Sequence, residues 1–152
     1  LGAAALVAAA AAAAVLGLQV SHLESRVAHL QVAVTQGGVG GLVEAALAEP
    51  GTRRLELRSP SRAPVAEVVV RSNGQAFLVD ARMPDLASGR TYQLWGLSGS
   101  HPVSLGLLGR KAQATVFRVD DRISTLMVTA EPAGGVSLPD SPVLATVRLA
   151  AD

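Results

Sequence analysis

The chain has 152 residues, 49% of them hydrophobic, and a formal net charge of +1 at pH 7. No block of like charges occurs, so the sequence lacks the clustered basic face of a nucleic-acid-binding surface, and no direct nucleic-acid binding is expected. The absence of Cys excludes disulfides, thiolate catalysis and Cys-based zinc sites.

The first 20 residues form an apolar run. Leu1 to Val20 contains no charged residue, and Gln19 is its one strongly polar side chain. A helix needs about 20 such residues to cross a bilayer core, so residues 1–20 are predicted to be a transmembrane helix. Two alternatives remain open: a buried or interfacial helix, because Ala contributes little to insertion, and a cleaved signal peptide.

Residues 21–36 continue this run as an amphipathic, juxtamembrane helix. Its apolar positions recur at steps of three and four, with Val at each a position and Leu at each d position of a heptad. This pattern favours a parallel homodimer, although the same stripe could instead pack on the chain's own globular domain. The predicted dimer seam consists of Val20, Leu23, Val27, Leu30 and Val34.

Residues 37–51 are predicted to be a Gly-rich joint followed by a short helix. Gly37-Gly38 and Gly40-Gly41 interrupt the helical pattern, and such clusters produce flexible backbone. The stretch LVEAALAE then reads as a short helix that ends at Pro50-Gly51.

The sequence after Thr52 changes to the two-residue period of strands. VAEVVVRSNGQAFLVDA contains Asn73-Gly74, the preferred pair for a type I′ hairpin turn. With that turn, Val70 would face Phe77 on an apolar side of the hairpin.

The same register would place Glu67 opposite Asp80 on the other side of the hairpin. Because like charges opposed across strands are unfavourable, that side is expected to be solvated. Further strand patterns follow as TYQLWGL, SLGLLG, ATVFRV, STLMVTAE and PVLATVRL, separated by turn residues. Short strands without intervening helices predict an Ig-like, antiparallel β-sandwich over residues 52–152.

The stretch TYQLWGL contains the only Tyr and the only Trp of the chain. In a strand, Tyr92 and Trp95 point to opposite faces, so they cannot form one stacking platform. One is expected to fill the core, and the other to cover the far side of the sheet where a neighbouring element packs.

No constellation of residues indicates catalysis, a metal site or a cofactor. His22 and His29 are two helical turns apart, which is too far for one metal ion, and His101 stands alone in a turn. No G-x-S-x-G elbow is present. The Asp120-Asp121-Arg122 stretch reads as a turn, so a protein without enzymatic activity is expected.

Three motifs together resemble the C-terminal domain of bacterial anti-sigma-K factors. They are TYQLWGL, PVSLGLLG and VTAEPAGGVSLPDSPVLA, in the order and spacing that the family shows. Val136 departs from the family pattern, which tends to place Ser directly after the Gly pair. The family motif residues here are Tyr92, Gln93, Leu94, Trp95, Gly106, Glu131, Pro132, Gly134, Gly135 and Pro139.

The resemblance implies a membrane-anchored regulator of transcription. A cytoplasmic domain upstream of Leu1 would hold a sigma factor, one helix would cross the cell membrane, and the β domain would lie outside it. Membrane and extracytoplasmic proteases would release the sigma factor, and the Gly37–Gly41 joint would suit the outer cut. The alternative is an exported binding module, anchored or secreted, that is unrelated to transcription.

Overall fold

The computed structural model describes residues 38–149, which form one helix followed by eight β-strands. Within these residues, no helix is long and apolar enough to span a bilayer. The predicted transmembrane helix at 1–20 and the predicted heptad helix at 21–36 lie outside the described residues. The mainly-β prediction for the remainder of the chain is confirmed.

The elements follow the chain in the order that the alternating patterns predicted. Helix α1 spans residues 38–47. The strands are β1 Arg53–Arg58, β2 Pro64–Val70, β3 Gln75–Val79, β4 Arg90–Ser98, β5 His101–Gly109, β6 Thr115–Arg118, β7 Ile123–Pro132 and β8 Val143–Arg148.

The strands form one antiparallel sheet in the order β5-β4-β7-β8-β1-β2-β3-β6. The prediction of a sandwich of two separate sheets is therefore corrected. Two four-stranded halves are joined where β1 meets β8 through the single pair Arg58 and Thr146. The sheet curls so that its end strands β5 and β6 contact each other without pairing, which nearly closes a barrel.

The hairpin of β2 and β3 has a different register from the predicted one. Val70 pairs with Ala76 and Val69 pairs with Phe77, so the register is shifted by one residue from the predicted pairing of Val70 with Phe77. A one-residue shift changes which side chains share a face of the hairpin.

The turn explains this shift. The Arg71 amide donates to the Gln75 carbonyl oxygen at 2.9 Å, and Gly74 has a φ of 79°. Asn73 has no positive φ, as a type I′ turn would require, so the connection is a type I turn with glycine in the bulge position. An alanine at Gly74 would place its Cβ 2.5 Å from the Val119 carbonyl oxygen, so this position needs glycine.

The prediction of a solvated outer face on this hairpin is wrong. Glu67 pairs with Val79 instead of Asp80, and helix α1 packs over the same face at Val69 and Phe77. The inner face of the hairpin joins the main core, which fills the barrel. Fully buried members of that core include Leu57, Val68, Leu78, Leu94, Leu108, Leu126 and Val128.

Candidate functional site

The two aromatic residues of β4 lie on opposite faces of the sheet, as their spacing predicted. Tyr92 is in the main core, and its hydroxyl donates to the Pro84 carbonyl oxygen at 2.6 Å. Trp95 is fully buried on the outer face. The outer face of β4 is therefore covered by another part of the chain.

The segment 133–142, which connects β7 to β8, covers this face beside Gln93. Gln93 lies on the same face as Trp95, and its amide binds this segment in both directions. Its Nε2 donates to the Val136 carbonyl oxygen at 3.0 Å, and its Oε1 accepts from the Val136 amide at 3.0 Å. The same Nε2 donates to the Ser104 hydroxyl at 2.8 Å, so Gln93 joins this segment to β5 as well.

A buried chain of hydrogen bonds begins at Trp95. The indole Nε1 donates to the Thr129 Oγ1 at 2.9 Å, and Thr129 donates to the Glu131 carboxylate. That carboxylate also accepts from the Ser141 hydroxyl at 3.1 Å and from the amides of Asp140 and Ser141, each at 3.3 Å. These hydrogen bonds therefore hold the end of segment 133–142 on the centre of the sheet.

The buried carboxyl group of Glu131 is held in its charged form. Burial favours the neutral acid, but hydrogen bonds from Thr129, Ser141 and the Asp140 amide outweigh it, so the pKa of Glu131 lies below its usual range. Arg90 extends the network, because its Nη2 donates to the Ser141 hydroxyl at 3.3 Å and to the Ala130 carbonyl oxygen.

This arrangement predicts a loss of stability in acid. Because the pKa of Glu131 is lower in the folded state, its contribution is complete above the unfolded value of about 4.3 and is lost as the pH falls through the folded value. Urea unfolding between about pH 7 and about pH 3 should therefore show a smaller acid loss in Glu131→Gln than in the parent chain. Asp120→Asn offers the comparison, because Arg122 also lowers the pKa of Asp120, but that pair is exposed and screened by solvent, so the acid loss should change much less than in Glu131→Gln. Equal pH slopes for the parent and Glu131→Gln would contradict the network.

Glycine is required at one position of the Gly-Gly pair. Gly135 has a φ of 71°, and a Cβ there would lie 2.8 Å from Leu107 Cδ2 and 3.1 Å from Gln93 Oε1. A Cβ at Gly134 would meet nothing within 4 Å. Segment 133–142 can therefore lie close to Gln93 because residue 135 has no side chain.

The rest of the predicted motif is spread over the domain. Leu94 lies in the main core, and Gly106 has a φ of 146° beside a register shift between β4 and β5. Pro132 is exposed and Pro139 is half-buried along the covering segment.

The packing of helix α1 on the β2–β3 hairpin is the second candidate feature. Helix α1 buries Val43 and Ala46 against Val69 and Phe77. Val39, Leu42 and Val79 pack around these four residues. The apolar residues of α1 thus recur at 39, 42, 43 and 46, the spacing of one helix face.

An ion pair binds the end of α1 to the hairpin. After the helix, Glu49 accepts from Arg71 at both carboxylate oxygens, at 2.8 Å from Nε and 2.5 Å from Nη2. The helix extends back to Gly38 through the glycines that the sequence predicted as a joint. Gly40 and Gly41 are exposed, and their missing side chains would meet open space.

The residues considered for catalysis do not converge in the described part of the chain. His101 is exposed, and Asp120 forms a surface ion pair with Arg122 at 2.6 Å. Over residues 38–149, no three His, Asp or Glu side chains are grouped as metal ligands would be. His22, His29 and the five residues of the dimer seam lie outside the described residues.

A protein-family model matches most of the chain. Residues 3–143 match the family model described as anti-sigma-K factor RskA, C-terminal. The chain belongs to this family. Neither the curated proteins nor the solved structures yield a match.

In this anti-sigma-K factor domain, four residues of the sequence motif meet on one face of the sheet. Three of them, Gln93, Trp95 and Glu131, lie on the strands, and the fourth, Gly135, belongs to segment 133–142, which Gln93 and Glu131 hold by hydrogen bonds. The sequence motif PVSLG already included Ser104, whereas Thr129, Ser141 and Arg90 were missed. Thr129 offered a signal, since it lies two residues before Glu131 and so shares its face of β7.

Proposed function

We propose that this chain is the anchored, extracytoplasmic half of an anti-sigma factor, and that its β domain controls proteolytic release of the sigma factor. The sigma factor would be held by a cytoplasmic domain N-terminal to the chain, and residues 1–20 would anchor it as a single-pass protein. Family membership and the uncharged run at 1–20 support this proposal. The β domain would act without catalysis, with membrane and extracytoplasmic proteases as its partners and a parallel homodimer formed through the 20–34 seam.

The observation that carries the proposal is the docking of α1. By sequence, residues 38–51 connect the proposed anchor to the β domain, so an outer protease would cut there. Proteases cleave backbone that is locally unfolded. While α1 remains helical and packed on Val69 and Phe77, it is a poor substrate.

The docked state of α1 is held weakly enough to be regulated. Glycine in a helix costs about 1 kcal/mol relative to alanine, and α1 contains Gly40 and Gly41 in exposed positions. Its contact cluster is separate from the main core, so α1 can open without unfolding the barrel.

Cleavage in membranes tests this mechanism. The double variant Gly40→Ala/Gly41→Ala should stabilise α1 by about 2 kcal/mol and slow release of the β domain roughly 30-fold, since cleavage follows the open population. Val43→Asp should accelerate release about tenfold or more, because a carboxylate cannot remain buried beside Phe77. Release is measured by immunoblot of the full-length protein and by transcription from a sigma-dependent promoter.

The matched control is Gly134→Ala, which adds a methyl group at a glycine outside α1 where the new Cβ would meet nothing within 4 Å. It should leave cleavage unchanged. Wild-type cleavage rates in both α1 variants would contradict the proposal.

A further inference from the structure

The outer face of the β2–β3 hairpin is an apolar surface on which helix α1 packs, and it is called the groove below. Val69 and Phe77 are 0% and 1% exposed beneath α1, and Val79 continues the same surface along β3. Without α1, these three side chains would present apolar surface to solvent. Exposure of this apolar surface would favour the binding of another helix when α1 leaves.

The groove does not depend on α1 for its shape. The alternate residues of the same strands, Val68, Val70 and Leu78, are embedded in the main core of the barrel. Because these core residues alternate with Val69 and Phe77 along paired strands, the hairpin backbone holds Val69 and Phe77 on the outer face. Departure of α1 would thus leave a preformed surface.

Helix α1 is a weak occupant of this groove. It contributes Val43 and Ala46 as its buried side chains, and two exposed glycines lower its helical stability. A helix with the same apolar spacing and with alanine, leucine or charged residues in place of the glycines would bind with a smaller ordering cost.

The groove also has a charged end. The guanidinium of Arg71 lies where the chain leaves the helix and holds the Glu49 carboxylate through two nitrogens. Glu49 follows Ala46, the last buried helix residue, by three positions. A carboxylate at that place complements the groove, and a basic residue there would be repelled.

We propose that this groove binds an amphipathic helix of another protein in trans, and that binding displaces α1. The partner helix would carry aliphatic residues at the spacing of Val39, Leu42, Val43 and Ala46, and a carboxylate at the place of Glu49. By displacing α1, the partner would expose residues 38–51 to cleavage. That last step rests on the proposed function.

The test uses the full chain and a peptide of residues 38–50 carrying Gly40→Ala and Gly41→Ala. Methyl NMR signals of Val69 and Val79 should shift saturably with the peptide. The affinity should be about tenfold higher for a chain carrying Val43→Asp, whose own helix no longer competes. A peptide with Val43→Asp should not bind, and Arg71→Gln in the chain should weaken binding about tenfold.

Two outcomes separate the groove from the release mechanism. If the Val43→Asp chain keeps the native Trp95 fluorescence and its groove signals do not move, the groove proposal is overturned. If the peptide binds and cleavage of the membrane-bound protein accelerates, the groove and the release mechanism are both supported. Binding without faster cleavage would support the groove and contradict its role in release.

Discussion

Replacing Glu131 with alanine is expected to lower the free energy of unfolding by about 3 kcal/mol. The carboxylate accepts hydrogen bonds from Thr129, from the Ser141 hydroxyl and from two backbone amides, all in a fully buried position. Its removal leaves the donors of Thr129, Asp140 and Ser141 without this acceptor, and segment 133–142 loses its attachment at residues 140 and 141 while its bonds to Gln93 remain. Urea unfolding followed by the fluorescence of Trp95, the one Trp of the chain, measures the loss.

A matched control is Glu56→Ala, which removes a strand carboxylate that pairs with Arg58 on the surface. Exposed ion pairs contribute about 0–1 kcal/mol, so this variant should stay close to the parent. A similar loss in both variants would show that the Glu131 network adds nothing beyond a surface carboxylate.

Replacing Trp95 with alanine should lower the free energy of unfolding by about 4 kcal/mol, because it leaves a large cavity where a fully buried side chain lay. Trp95→Phe keeps most of the apolar volume and removes the hydrogen bond to Thr129, so its cost should be about 1–2 kcal/mol. Unfolding is followed here by circular dichroism, since both variants lack the fluorophore.

The two sites should also be coupled through Thr129. A double-mutant cycle with Trp95→Phe and Glu131→Gln should give an interaction energy of at least about 0.5 kcal/mol, because both side chains hydrogen-bond the same hydroxyl. Strict additivity would mean that the indole and the carboxylate act independently, contrary to a continuous network.

The strand pattern could be predicted from the sequence, whereas the register of one hairpin could not. Short runs rich in apolar and β-branched residues between turn residues located β1 to β8. Burial alternates with the two-residue period in β1, whereas most of β4 is buried on both faces. Gly74 takes a positive φ in both a type I′ turn and a type I turn with a bulge. Local sequence does not separate these turns, and they differ by one residue in the pairing of Val70.

The motif residues could be predicted as a sequence pattern, but their structural role depends on contacts between residues that are far apart in the sequence. Trp95 meets Thr129 across 34 positions, and Gln93 meets Val136 across 43. No periodicity reports such pairs. The opposite directions of Tyr92 and Trp95 were predicted correctly because they follow from strand geometry alone.

In helix α1, tertiary contacts outweigh the low helix propensity of glycine. The glycines at 38, 40 and 41 favour a flexible joint when the segment is considered alone. Packing of Val43 and Ala46 on Val69 and Phe77 stabilises the helix in spite of them. The signal that was available is the apolar spacing from Val39 to Ala46, which continues through the glycines.

Native-state hydrogen exchange tests most directly whether α1 opens independently of the barrel. The amides of residues 43–47 should exchange with an opening free energy several kcal/mol below that of β4 and β7. Gly40→Ala/Gly41→Ala should raise the α1 value by about 2 kcal/mol and leave the strands unchanged. If α1 instead exchanges with the same free energy as β4 and β7, it opens only with global unfolding, and control of cleavage by its release is contradicted.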